Sequence, residues 1–306
     1  MISVISAVYK AEKIIDELVK RNIEILNTLD TNFEIILVED GSPDKSWEKI
    51  LENCTKDNRV KGIKLSRNFG QHYAITAGLE ASKGDYVVVM DCDLQDNPVY
   101  IPELYKKAKD GFDIVYTIKQ ERAHSFIKNM WAYMYFRVFN YLSNNTASQP
   151  DMGGYSLLTR KAVNAFCRVK EMHRHYLLVL GLLGFSSASV EIVHQKRYEG
   201  KSSYNFSRLL KHAINGITSQ SDKLLLLSVF LGFTIFLLSV SWATFLLVQY
   251  FRIGAKPGYT SMMVMLLFAT GIILISIGIL GIYIGKIFEQ VKERPLYFID
   301  TKINFN

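Results

Sequence analysis

"VVVMDCDLQDNP", residues 87–98, decides the fold. Together with Tyr86, the run Val87-Val88-Val89-Met90 is short, β-branched and continuously apolar, so it reads as a strand buried on both faces. It ends in Asp91, Asp93 and Asp96, with Gln95 among them. Carboxylates this close repel one another, so the end of this strand calls for a positive partner.

The same grammar recurs on either side. "ISVISAV" (2–8), "FEIILVED" (33–40), "VKGIKLS" (60–66), "DYVVVMD" (85–91) and "FDIVYTI" (112–118) read as strands. Helical apolar spacing covers 12–29, a stretch from about Lys45, and 71–82. The alternation predicts an α/β fold, a mostly parallel Rossmann-like sheet with helices on both faces. Ligands of such sheets bind beyond the carboxyl ends of the strands. Tyr9, Glu39-Asp40 and Asp91–Asp93 all fall there, so three strands direct polar groups at one crevice.

The 306 residues carry a formal net charge of +7, which suits nucleic acid, an anionic membrane or a phosphorylated substrate. Hydropathy chooses among them. Residues 224–251 and 257–285 contain no charged side chain, and each run exceeds the roughly 20 apolar residues that span a bilayer. A short connection, "RIGAKPGYTS", predicts a two-helix transmembrane hairpin with both termini on one side. Arg208, Lys211, Lys223, Lys286, Lys292 and Arg294 outnumber Arg252 and Lys256 in the loop, which puts those termini in the cytoplasm. The apolar start, Ile2 to Tyr9, is too short for a secretory signal. Cys54, Cys92 and Cys167 show no metal spacing and no even pairing, as expected of a reducing compartment. An aromatic-rich helix is expected over 125–144 and an amphipathic interfacial helix over 206–222.

Each candidate site has a bland reading beside its chemical one. Asp91 and Asp93, with the Gln95 carbonyl, suit Mg²⁺ or Mn²⁺, while such a pair also caps helices. Asp40 in "VEDGS" either makes a turn or accepts a hydrogen bond from a base or ribose. Lys119, Arg122 and Lys128 in "TIKQERAHSFIKN", and Arg197, Lys201 and Ser202 in "KRYEGKSSYNF", are either solvated charge or phosphate contacts, for which Arg is well shaped.

"ISVISAVY…VEDGS…LSRNFGQHYAITAGLEASKGDYVVVMDCDLQDNP" resembles family 2 glycosyltransferases of the GT-A fold. "DMGGYSLLTRKAV", "RYEGKSSYNFSRLLKHAINGI", the two spans and "IYIGKIFEQVKERPLYFI" are similar to the polyprenyl-phosphate branch, which includes dolichol-phosphate mannose synthases and undecaprenyl-phosphate glucosyl and 4-deoxy-4-formamido-arabinose transferases. The resemblance implies a catalytic domain over 1–205, an interfacial region over 206–223, the hairpin over 224–285 and a cytoplasmic tail over 286–306, in the inner membrane. It implies that Ala7, Tyr9 and Asp40 contact the nucleoside of a UDP-sugar and that Arg67 is among the residues that bind the nucleotide-sugar. Asp91, Asp93 and Gln95 would hold Mg²⁺ or Mn²⁺ on its diphosphate, with Asp93, Asp151 and Arg197 as the catalytic set. Arg197, Lys201 and Ser202 would close over the donor phosphates, and Lys119, Arg122 and Lys128 would receive the lipid phosphate. The reaction implied is inverting transfer to undecaprenyl phosphate at the cytoplasmic face, by a homotetramer, with no nucleic acid involved.

The sequence departs from the family's pattern in three places. Ala7-Val8-Tyr9-Lys10-Ala11 replaces Pro-x-Tyr-Asn-Glu, Glu39-Asp40 replaces Asp-Asp, and Gly153-Gly154-Tyr155-Ser156 replaces Gly-Asp-Phe-Arg. Two rival readings stand beside this one. One is a membrane glycosyltransferase extending a lipid-linked or polysaccharide hydroxyl with Asp151 as base. The other is a non-catalytic scaffold, which the intact Asp91, Asp93 and Gln95 oppose.

Overall fold

The computed structural model describes residues 1–119, 152–172, 174–193, 223–253 and 258–305. The helices expected over 125–144 and 206–222 lie outside them. The first half alternates: β1 (Ile2–Val8), α1 (Ile15–Leu26), β2 (Phe33–Glu39), α2 (Ser46–Lys56), β3 (Val60–Leu65), α3 (Gln71–Ala81), β4 (Tyr86–Asp91), α4 (Ile101–Lys109) and β5 (Ile114–Lys119). Then follow β6 (Met152–Thr159), α5 (Arg160–Arg168), α6 (Tyr176–Leu182), β7 (Ser187–Ile192), α7 (Lys223–Ile253), α8 (Tyr259–Val291) and β8 (Ile299–Ile303). The five expected strands all form, with ends shifted by no more than two residues.

One eight-stranded sheet runs in the order β7-β5-β6-β4-β1-β2-β3-β8. Pairing is parallel across β4-β1-β2-β3 and between β5 and β7. It is antiparallel where β6 separates β4 from β5 and where β8 joins β3. β4 and β5 are both antiparallel to β6, so they point the same way.

The continuous apolar runs are explained by two cores, one on each face. Ile15, Leu18, Ile50, Ile101 and Leu104 from α1, α2 and α4 cover one side. Ile75, Leu79, Val163, Phe166 and Val179 from α3, α5 and α6 cover the other. Each such buried side chain contributes roughly 1.5–3 kcal/mol. α3 approaches β1 so closely that a Cβ at Gly78 would collide with Ile5 Cγ2, which fixes the height of α3 over the sheet.

The chain divides into two compact units. One joins the N-terminal part to residues from Arg294 onward, and the other carries α7 and α8. Those two helices are long and apolar enough to cross a membrane, and they contact each other. The second runs beyond the expected Gly285 to Val291. Residues 286–306, expected as a tail, end in β8, which covers the β3 edge. A sheet edge left bare presents unpaired N–H and C=O groups, and β3 avoids this.

The end of β2 is tied to the start of α3. Asp40, 3% exposed, accepts the Phe69 N–H at 2.7 Å and the Gly70 N–H at 2.9 Å, and its carbonyl accepts from Asn68 Nδ2 at 2.9 Å. Burial holds the Asp40 carboxyl above its ordinary value of 3.8, outweighing the pull of the two N–H groups in the other direction. The folded state therefore binds this proton more tightly than the unfolded chain. Asp40's contribution to stability is complete below pH 3.8 and declines as pH rises through the folded pKa. Asp40→Asn removes that slope and turns an amide donor toward a backbone donor, at a cost of about 1–3 kcal/mol. Denaturant unfolding of the two proteins from about pH 4 to pH 7 should show wild type ahead throughout and by most at the acid end. A gap that widens toward neutral pH would contradict this linkage.

Candidate active site

Parallel register sets one row of residues across three strand ends. Asp91 on β4 lies opposite Ala7 on β1, and Ala7 lies opposite Val38 on β2. One step further, Val8 pairs with Glu39. Ala7, with its single methyl, separates the two acidic ends. α3 starts above this row and is bonded to both sides of it. Gln71 Nε2 donates to Asp91 Oδ1 at 2.7 Å, while the Phe69 and Gly70 amides reach Asp40.

After β4 the chain turns sharply. Leu94 is buried at 2% and takes a φ of +56°, a left-handed conformation that costs a side chain such as leucine roughly 1–2 kcal/mol. The Gln95 N–H closes this turn on Asp93 Oδ1 at 3.1 Å. The turn keeps Asp91, Asp93 and Gln95 together at the sheet edge, each half-buried. Among the described residues no three His, Cys, Asp or Glu side chains form a ready metal cluster. The donor set here is two carboxylates and an amide oxygen. That is a fit for a hard divalent cation that completes its shell with water and substrate phosphates. Cys92, between the two aspartates, is pushed up to about 12 by burial, then by the Asp91 charge, so it is no thiolate at neutral pH.

The two carboxylates ending β2 divide their work. Glu39, not Asp40, makes the local turn: its Oε1 accepts the Ser42 N–H. Its Oε2 is buried with no hydrogen-bond partner among the described residues. Asp40 instead fixes loop 66–70, where Gly41, at φ +62°, would collide through a Cβ with the Asn68 N. A carboxylate offers about four lone-pair sites, so both Asp40 oxygens keep capacity for another donor. Arg67 lies within electrostatic range of Asp40 and stacks its guanidinium 4.1 Å from the Phe69 ring.

Tyr9 is 46% exposed at the end of β1, with Lys10 Nζ 5.4 Å from its ring centroid. Its loop is pinned to the β2–α2 loop by Lys10 N–H to Ser42 Oγ at 3.1 Å and Ala11 N–H to Ser46 Oγ at 3.0 Å. Lys119 ends β5, which points the same way as β4, so it lies at the same sheet edge two strands away. The Gly153-Gly154-Tyr155-Ser156 stretch lies on β6 between them. Its Tyr155 hydroxyl donates to the Asn97 carbonyl at 3.2 Å, and Ser156 Oγ meets the Tyr176 hydroxyl at 2.7 Å. A Cβ on Gly154 would meet nothing within 4 Å among the described residues.

Ala7, Tyr9, Asp40, Arg67, Asp91, Asp93, Gln95 and Lys119 are thus gathered at one edge. Arg122, Lys128, Asp151, Arg197, Lys201 and Ser202 lie outside the described residues. Glu39 lies at the end of β2, where the strand pattern puts it, and its part in closing the turn is what the pattern does not give. Gln71 is the residue that sequence reasoning misses, and its signal is a polar side chain opening α3.

The chain and its fold have known counterparts. Residues 3–166 match the model of glycosyl transferase family 2. An uncharacterized glycosyltransferase of Synechocystis is 35% identical over 97% of this chain and 94% of its own length. Undecaprenyl-phosphate 4-deoxy-4-formamido-L-arabinose transferase of Edwardsiella ictaluri is 31% identical over 100% of this chain and 95% of its own length. Glucosyl-3-phosphoglycerate synthase of Mycobacterium tuberculosis, solved with Mn²⁺, UDP and its product, superposes with a TM-score of 0.52 at 18% identity, covering 71% of this chain and 77% of that one. The same GT-A architecture and an end-to-end match to named transferases lead to one conclusion: the chain is a glycosyltransferase and belongs to glycosyl transferase family 2.

Proposed function

We propose that this glycosyltransferase moves a sugar from a UDP-sugar to undecaprenyl phosphate, with inversion, at the cytoplasmic face of the inner membrane. The observation that carries the reading is the row of strand ends. It brings Ala7, Tyr9, Asp40 and Arg67, the proposed nucleoside contacts, to the same end of the sheet as Asp91, Asp93 and Gln95. Support comes from the full-length relative named for transfer to undecaprenyl phosphate, from fold neighbours that hold UDP with Mn²⁺ or Mg²⁺, and from the two apolar helices.

In this reading Tyr9 and Arg67 bracket the base and Asp40 accepts from the nucleoside. Asp91, Asp93 and Gln95 hold a divalent cation, which when bound neutralises charge on the leaving diphosphate. Arg197, Lys201 and Ser202 bind the same phosphates and stabilise that charge directly. Lys119, Arg122 and Lys128 hold the acceptor phosphate on the opposite face of the anomeric carbon, in line for attack. A phosphate monoester has its second pKa at about 6. The acceptor is therefore a dianion at neutral pH and needs no general base, which leaves Asp151 to bind sugar hydroxyls or orient a cation.

Purified protein given undecaprenyl phosphate, Mn²⁺ or Mg²⁺ and a panel of UDP-sugars should yield a lipid of mass polyprenyl phosphate plus one sugar. Asp93→Ala should reduce that product by at least about 100-fold, the scale of a lost transition-state charge partner. No product from any UDP-sugar would overturn the donor and acceptor together. Asp151→Asn should lower kcat while leaving the shape of the pH profile unchanged. If the mutant's activity instead recovers only at alkaline pH, Asp151 is a base and the acceptor is a hydroxyl.

A further inference from the structure

The chain leaves α8 at Val291 and returns to the N-terminal unit's sheet as β8. Its ladder with β3 runs from Gly62–Ile303 to Leu65–Ile299 and shifts between Lys64 and Leu65. Such bulges bend a strand and re-aim its end. Beyond the bend the contacts leave the ladder and reach the site loop. The Ser66 N–H donates to the Phe298 carbonyl at 2.9 Å. The Phe298 ring lies 6.3 Å from that of Phe69, the residue whose amide Asp40 holds. The Tyr297 hydroxyl donates to the Glu80 carboxylate on α3. At the other end Asn304, at φ +65°, donates through Nδ2 to the Cys54 and Val60 carbonyls, both at 2.8 Å. The segment is therefore anchored twice, once on the Cys54 and Val60 carbonyls and once on loop 66–70 and, through Glu80, on the far end of the helix whose first residue meets Asp91.

Covering the β3 edge needs only backbone pairing, which the Ser66–Phe298 bond extends by one residue past the ladder. The Tyr297 and Phe298 side chains precede the ladder and reach Glu80 and Phe69, contacts that edge protection does not account for. What they touch is loop 66–70, whose Ser66, Arg67 and Asn68 are exposed and have little apolar cover of their own. Such segments open at low free-energy cost unless tied down.

The geometry points to Tyr297 and Phe298 as positioning residues for the nucleotide-sugar. They act through loop 66–70 and α3, keeping Arg67 and the Asp40-bound amides in place, and touch no substrate themselves. This rests on the reading that the strand-end row binds the donor.

The test uses the full chain in detergent, comparing wild type with Tyr297→Phe, Phe298→Ala and the conservative Phe298→Tyr. Hydrogen exchange over 66–70 without ligand, melting temperature, and KM for donor and acceptor are measured together. Phe298→Ala should accelerate exchange of the loop amides about tenfold, as expected when a local tie is lost. It should raise the donor KM about fivefold while kcat and the acceptor KM stay within about twofold, a loss of ground-state and transition-state binding alike. Tyr297→Phe should move the same two readouts in the same direction, and Phe298→Tyr should restore wild-type behaviour. A lower melting temperature with unchanged loop exchange and unchanged donor KM would reduce the segment to an edge cover and overturn the proposal. Faster exchange with an unchanged donor KM would overturn it too. If wild type transfers no sugar, the reading of function has failed. The exchange data then still decide whether the segment holds the loop.

Discussion

Parallel pairing of β1 with β2 on one side and β4 on the other is the constraint on which the rest depends. All three strands are mostly apolar and almost completely buried, so burial on both faces fixes their register. A slip of one residue would turn every side chain to the opposite face, carry Asp91 away from Gln71 and carry Asp40 away from loop 66–70. The register therefore places the carboxylates, the Ala7 gap between them and the α3 amides. The site begins where the apolar runs end, at Glu39-Asp40 after Val38 and at Asp91 after Met90.

Around that row the structure uses short polar ties in place of a rigid wall. Glu39 closes its own turn, which frees Asp40 to hold the loop after β3. Gln71 then joins the same helix start to Asp91. The β2 and β4 ends are thus linked through α3, and α3 is seated on β1 by Gly78. Left-handed backbone falls at two places in the site, Leu94 in the turn that presents Asp93 and Gln95 and Lys10 next to Tyr9. Strained conformations of this kind persist where the surroundings over-determine them, and they gather at functional sites.

Much of this was legible in the sequence because the central strands carry local signals. Val87 to Met90 and Ile35 to Val38 are apolar runs with polar ends, and the helices between them have clear periodicity. β6 was not read as a strand because Gly153 and Gly154 weaken its propensity, and β7 (Ser187–Ile192) because its small and polar residues carry a thin pattern. β8, "IDTKI", is five residues following a long apolar helix, and only its pairing with β3 makes it a strand. The site divides in the same way. Asp91, Asp93 and Asp40 announce themselves by ending strands. The bonds of Asp40 to Phe69 and Gly70 join residues about thirty apart, and they follow from tertiary register that no local window contains.

In the proposed function the nucleotide-sugar lies along this row with its diphosphate on the Asp91–Asp93 turn. A structure determined with UDP and Mn²⁺, with the metal located by its anomalous signal, tests it most directly. One peak is expected at about 2.1 Å from an Asp91 or Asp93 carboxylate oxygen, with the uracil ring between Tyr9 and Arg67. Manganese bound elsewhere, or UDP seated away from the ends of β1, β2 and β4, would contradict it.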